Sequence, residues 1–351
     1  GYEYTPLEIN KRDTVPLVEK NNQALLMMPR ILSGNGFSVA VTDPPYANYY
    51  WISDMSIYNK YTDIKAYITD GAYTDFWMRE HNFTLPALSA VIKRNLLWYS
   101  VLKGLPLLLR PALYLDGGWL SLVNSSTLRS MLNGYSVLEY LPLLVPVTDT
   151  PVNTALIMVN NTTHEDGFLQ VPDYRPTLSV TNYGDGPFRK NTVYHTNAAA
   201  MKRLAEWFEV LRKEGVYDNT RIILVADHGS KQNVIAKTGL PFNVDHFNPL
   251  LMVKDFGASG ALKTDRAFMS NADVPSLALR GIVENPVNPF TGNPVAAGAK
   301  NKPFYIVIPR IAMPADRQAS QLNLYPDKNY YVHTDIFDPA NWQKAAGVPA
   351  P

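Results

Sequence analysis

The chain of 351 residues contains no cysteine, which excludes disulfides, thiolate metal sites and a cysteine nucleophile while saying little about compartment. Clustered charge of one sign is also missing. Lys and Arg number 32 against 31 Asp and Glu, for a net charge of +1, and no run of like charge marks a nucleic-acid groove. There is no internal repeat and no low-complexity segment. No G-x-G-x-x-G follows a strand-like run, and the Walker, G-x-S-x-G and H-E-x-x-H patterns are absent, which removes the common nucleotide, serine-hydrolase and zincin signatures. Gly1 stands in place of an initiator Met with no charged-then-apolar leader behind it, the mark expected of a processed or cut chain. The apolar stretch "LLWYSVLKGLPLLLRPALYL" at 96–115 carries Lys103, Arg110 and two prolines. Central charges cost about 2.5–3.5 kcal/mol each in a spanning helix, so it is not expected to cross a membrane. It reads either as a core helix over 85–103 followed by a proline-broken apolar loop, or as a surface resting on a bilayer.

What is present is ordinary globular composition, 46% hydrophobic and 18% charged, on a chain long enough for a large core. "NNQALLMMPRILS" at 21–33 predicts a helix closed by Gly34 and Gly36, and "FSVAVTD" a strand ending at Asp43, where "TDPPY" turns. An aromatic-rich, mostly helical insertion is expected over 51–134. Regularity returns with a strand over 154–159, then a polar loop carrying His164 and Glu165. Met201, Leu204, Ala205, Phe208 and Leu211 recur at helical spacing, with Gly215 as the stop. "PLLMVKDF" predicts a further strand, and "NADVPSLALRGI" a short helix capped by Asn271 and Asp273. "FYIVIPRI" and "YYVHTDIFD" predict a small antiparallel addition.

The most informative stretch is "RIILVADHGSKQN" at 221–233. Its continuous aliphatic run predicts a buried strand of a parallel sheet covered on both faces. The run ends in Asp227 and His228, two metal-ligand residue types, at the carboxyl end of a strand, where α/β sheets bind ligands. Gly229 lets the backbone turn sharply behind them. His164, in a loop expected at the same end of the sheet, is a candidate for substrate contact. His246 precedes a strand instead of following one, and reads either as a second imidazole for the site or as a turn residue. His195 reads as structural, and His81 and His333 have no supporting neighbours in the sequence.

"YDNTRIILVADHG", with "LIMVNNTTHE" before it and "NPLLMVKDF" and "NADVPSLAL" after it, resembles the alkaline-phosphatase superfamily. The likeness is to the sulfatase-like branch that holds the lipoteichoic acid synthases and phosphoethanolamine transferases, and it covers about 154–281. It implies an α/β fold with a mostly parallel central sheet, helices on both faces and a small antiparallel C-terminal addition, divided as 1–300 and 301–351. It implies that Asp227 and His228 bind a divalent metal (Mn, Zn, Mg or Ca), and that His164, with His246 as a second candidate, contacts a phosphate or sulfate group. The family's nucleophile and its acidic metal ligand fall upstream of a segment like "GYEYTPLEIN". The expectation is therefore a domain without its N-terminal βα unit, inactive alone, that partners a separate N-terminal fragment. The implied activity is metal-dependent phosphoryl or sulfuryl transfer or hydrolysis on a cell-envelope lipid or glycan, with no nucleic-acid partner. The implied place is extracytoplasmic, membrane-anchored and near a membrane surface. Two other readings stand beside it: a non-catalytic binding protein on the same fold, and a soluble metal-dependent phosphodiesterase or mutase.

Overall fold

The structure, a computed structural model, describes residues 1–52, 54–85, 88–111, 125–164, 166–230, 238–296, 298, 303–307, 316–324 and 329–346. Glu165, 112–115 of the long apolar stretch and 308–311 of the expected C-terminal strand lie outside the described residues. The chain divides into two compact units. One comprises Gly1–Tyr67, Thr150–Met158 and Val216–Pro351; the other comprises Ile68–Asp149 and Val159–Gly215.

The fold is mixed α/β. In the first unit β1 (Ser38–Thr42), β2 (Ile64–Tyr67) and β3 (Thr154–Met158) form a parallel sheet in the order β2-β1-β3, with Val41 in register with Ala66 on one side and Ile157 on the other. The second unit contains a short antiparallel pair, β4 (Leu169–Gln170) and β5 (Arg175–Pro176). Returning to the first unit, β6 (Ile222–Val225) pairs antiparallel with β7 (Leu251–Lys254), with Ile222 opposite Lys254 and Val225 opposite Leu251. The antiparallel addition forms from β8 (Phe304–Val307), β9 (Asn329–Val332) and β10 (Trp342–Lys344). The aliphatic run of β6 is only half-buried, and Val225 is exposed. A continuous apolar run marks a strand but does not identify its neighbours.

Among the described residues the helices are α1 (Pro6–Lys11), α2 (Leu17–Gly34), α3 (Thr74–Glu80), α4 (Leu88–Gly104), α5 (Ser125–Glu139), α6 (Leu141–Leu144), α7 (Thr192–Lys213) and α8 (Val274–Leu279). Leu26, Met27, Ile31 and Leu32 on α2 recur at helical spacing and pack with Val39, Val41, Ile64 and Leu279 in the core of the first unit. The helix starts earlier than its apolar period because distant backbone takes up its first donors. Leu17 N–H donates to Ala319 O at 2.8 Å and Val18 N–H to Arg317 O at 3.1 Å. In the second unit Leu128, Met131, Leu132 and Tyr135 line one face of α5 and pack with Trp77, Leu169 and Ala199. Ser270, and not Asn271, caps the 3-10 turn Asn271–Asp273 that leads into α8. The Ser270 hydroxyl accepts from Ala272 N–H at 3.2 Å, and Asp273 closes the box on Ser270 N–H at 2.9 Å.

Candidate metal centre

Strand β6 ends at Val225, and Ala226 N–H still reaches across to Leu250 O at 3.0 Å. The chain then turns through Asp227, His228 and Gly229. Gly229 N–H donates to His246 O at 2.9 Å, and a Cβ placed on Gly229 would lie 1.9 Å from Asp245 O and 2.7 Å from Asn248 O. Only glycine permits that backbone approach. The approach brings the imidazoles of His228 and His246 to a centroid distance of 4.6 Å, tilted by 43°. Antiparallel pairing explains why a residue that precedes a strand joins a site that follows one: the start of β7 lies beside the end of β6. Asn271, freed from capping, donates its amide to Ala226 O at 2.9 Å and Asp227 O at 3.1 Å. The sequence held no signal for that role, because Asn before a short helix is the ordinary composition of a cap.

Within the turn, Asp227 Oδ1 accepts from His228 N–H at 2.9 Å, and its Oδ2 lies 3.6 Å from His228 Nε2. His228 Nδ1 donates to Gly229 O at 2.9 Å. A donating Nδ1 leaves Nε2 as the ring nitrogen beside the carboxylate, the nitrogen through which histidines held this way ligate metals. Neighbouring ligands around a tetrahedral ion with bonds of about 2.0–2.2 Å stand about 3.4 Å apart. The pair fits two positions of such a shell. Both side chains are open to solvent, Asp227 at 88% and His228 at 40% exposure. Among the described residues no group of three or more His, Asp or Glu is gathered closely enough to hold a metal ion, so the fit extends to a ligand pair and not to a complete cage.

His164 lies in the second unit. Its exposed loop is built on Asn160, whose amide donates to Gly134 O at 2.9 Å while its carbonyl accepts from the Thr162 N–H and hydroxyl at 3.0 and 2.6 Å. Gly134 admits this contact, since a Cβ there would stand 2.7 Å from Thr162 N. His195 is buried near the start of α7, with Nε2 donating to Arg189 O at 2.7 Å, a structural setting. His81 does acquire neighbours. It stacks on Trp77 at 4.3 Å, and Nε2 lies 3.3 Å from Glu139, which also faces Arg203 at 3.6 Å. Burial, then the Glu139 carboxylate, pushes the Tyr135 hydroxyl far above its ordinary range. In the first unit the loop after β1 holds Asp43, Tyr46, Asn48 and Tyr49 at positive φ. Asn22 on α2 pins it through reciprocal bonds with Asn48 of 2.8 and 2.9 Å. No protein-family model, curated protein or solved structure matches the chain.

Proposed function

We propose that this chain carries part of the metal centre of an enzyme acting on phosphate or sulfate esters, of the sulfatase-like kind, with Asp227 and His228 as ligands of one divalent ion. The observation that carries the reading is the pair itself: a carboxylate oxygen and an imidazole nitrogen at ligand spacing, with the histidine's other nitrogen committed to Gly229 O. A divalent ion held there would act as a Lewis acid toward ester oxygens. Asp227 neutralises the ion's charge, His228 presents its Nε2 lone pair, and Asn271 holds the Asp227 peptide in place. His246 packs on His228 and limits its rotation. His164, in the second unit, is proposed separately as an anion contact, on the sequence resemblance alone. On this reading β1, β2 and β3 belong to a larger, mostly parallel sheet, and the substrate is an envelope lipid or glycan outside the cytoplasm.

Titration calorimetry with manganese or zinc tests the proposal, and the chain alone is expected to give no metal-dependent hydrolysis of p-nitrophenyl phosphate or p-nitrophenyl sulfate. The expected result is binding by the wild-type chain that Asp227→Ala or His228→Ala each weakens by more than about 100-fold, since loss of mere outer-shell partners already costs 10–100-fold. Equal metal affinity of wild type and the double variant would overturn it.

A further inference from the structure

We infer that the end of α4 and the 3-10 turn Leu107–Leu109 form an interfacial anchor that inserts into the headgroup region of an anionic bilayer. The inference is independent of the metal reading. Leu96, Leu97, Trp98 and Tyr99 are all exposed, Leu97 at 67%. Consecutive helix positions step round by about 100°, so four exposed positions in a row span most of the circumference of this helix end. After Pro106 the chain presents Leu107, Leu108 and Leu109, with Leu108 at 92% exposure. Contiguous exposed apolar surface of this kind marks a place where something else binds.

The charge pattern selects the occupant. From Leu85 to Leu115 the sequence has Lys93, Arg94, Lys103 and Arg110 and not one Asp or Glu. A second copy docking through a two-fold axis would set this cationic segment against itself. Protein interfaces are depleted in lysine at their centres, whereas a Trp and a Tyr among leucines with basic residues alongside match the composition of helices lying in a membrane interface. Anionic headgroups attract such residues directly. The backbone is prepared for an apolar medium as well. Arg110 folds back so that Nε donates to Leu105 O at 3.0 Å and Nη2 to Lys103 O at 2.5 Å, covering carbonyls that a helix end leaves open. No helix among the described residues is long and apolar enough to cross a membrane, so the segment lies in the interface.

The test is flotation of the full chain with vesicles of phosphatidylcholine alone and of phosphatidylcholine with about one-third phosphatidylglycerol, a negatively charged surface. Wild type is expected to float with the anionic vesicles and to remain largely below with the neutral ones. The Leu107→Asp/Leu108→Asp variant should abolish flotation, and Lys93→Glu/Lys103→Glu should weaken it about tenfold or more. These side chains are exposed, so both variants should keep the wild-type circular dichroism and melting point. Failure of the wild type to float, equal flotation on both vesicle types, or a concentration-dependent dimer that Leu107→Asp/Leu108→Asp dissociates without any flotation would each overturn the inference.

Discussion

The two ends of the β6–β7 ladder carry charged residues in opposite circumstances. At the end where β6 begins and β7 finishes, Arg221 is 8% exposed and uses its whole guanidinium. Nε and Nη2 donate to Asp255 Oδ1 at 3.0 and 2.7 Å, and Nη1 donates to the carbonyls of Leu277, Ala278 and Arg280 at 3.2, 2.9 and 2.6 Å. Arg280 adds a bond to Asp255 Oδ2 at 2.9 Å, and Phe256 N–H another to Oδ1 at 2.8 Å. At the other end, Asp227 and His228 are positioned by backbone bonds while their outer oxygen and nitrogen face solvent. One end spends its charge on holding β6, β7 and the end of α8 together. The other leaves its charge open to solvent. The saturated end is a matter of stability, and the open end is where the proposed ion would bind.

The largest effect should come from breaking the saturated end. Arg221→Ala leaves Asp255 and the carbonyls at the end of α8 without their shared donor; because Asp255 is 35% exposed, the loss falls below that of a fully buried pair, at about 2–3 kcal/mol. Urea unfolding measures it. Arg221→Lys should recover little, because an ammonium cannot reproduce a planar fork that serves a carboxylate and three carbonyls at once. A loss below about 1 kcal/mol would place this cluster with ordinary surface pairs and erase the contrast.

Next in size is Gly229→Ala, which strikes the hinge of the open end. The added methyl meets Asp245 O and Asn248 O, so the backbone must separate, at a cost of about 1–3 kcal/mol for a forced fit. The expected signature is twofold: a lower melting point, and loss of the ring-current coupling between the His228 and His246 imidazole signals in NMR spectra. Unchanged imidazole shifts would mean that the close approach of the two loops is not what joins the histidines.

Asp255 allows a smaller, pH-resolved test. Hydrogen bonds from Arg221, then Phe256 N–H and Arg280, hold its carboxyl down at about 2 from an ordinary 3.8, against a weaker upward push from burial. A depressed folded-state pKa means stability that is present above about pH 4 and is lost as pH falls toward 2. With the side chain 35% exposed, solvent screening reduces the contribution to on the order of 1 kcal/mol. Asp255→Asn should therefore be less stable than wild type at pH 7, and the gap should close between pH 4 and pH 2. A gap that stays constant over that range would assign the loss to packing and not to charge.

Local pattern made much of this legible in the sequence. The apolar period of α2 and α7, the strands at β1, β3 and β6, and the Asp227–His228–Gly229 turn all follow from neighbours a few residues apart. What was not legible depends on partners far away in the chain. The aliphatic run of β6 announced a strand but not its antiparallel partner, and that partner decides where His246 falls. Arg221 meets carbonyls more than fifty positions onward, and Asn271 looked like a cap until the β6 end was placed beside it. Glu139, beside His81 and Arg203, has the same origin: two helices and the residue that ends a third each supply one group.

The smallest expected effect on stability is also the most discriminating. Asp227→Ala and His228→Ala remove side chains that are 88% and 40% exposed and whose hydrogen bonds are confined to their own turn, His228 adding only its ring contact with His246. Exposed substitutions away from packed or saturated groups change stability by no more than about 0.5 kcal/mol. Without metal, both variants should melt with the wild type. With manganese or zinc added, the wild type should gain stability, because a ligand that binds only the folded state raises it by about 2.7 kcal/mol at 100 times its dissociation constant, and the two variants should not. Thermal melts with and without metal separate the alternatives. A variant destabilised in the absence of metal would show that the turn is structural, like the opposite end of the ladder. A metal-induced shift retained in both variants would put the ion elsewhere in the chain.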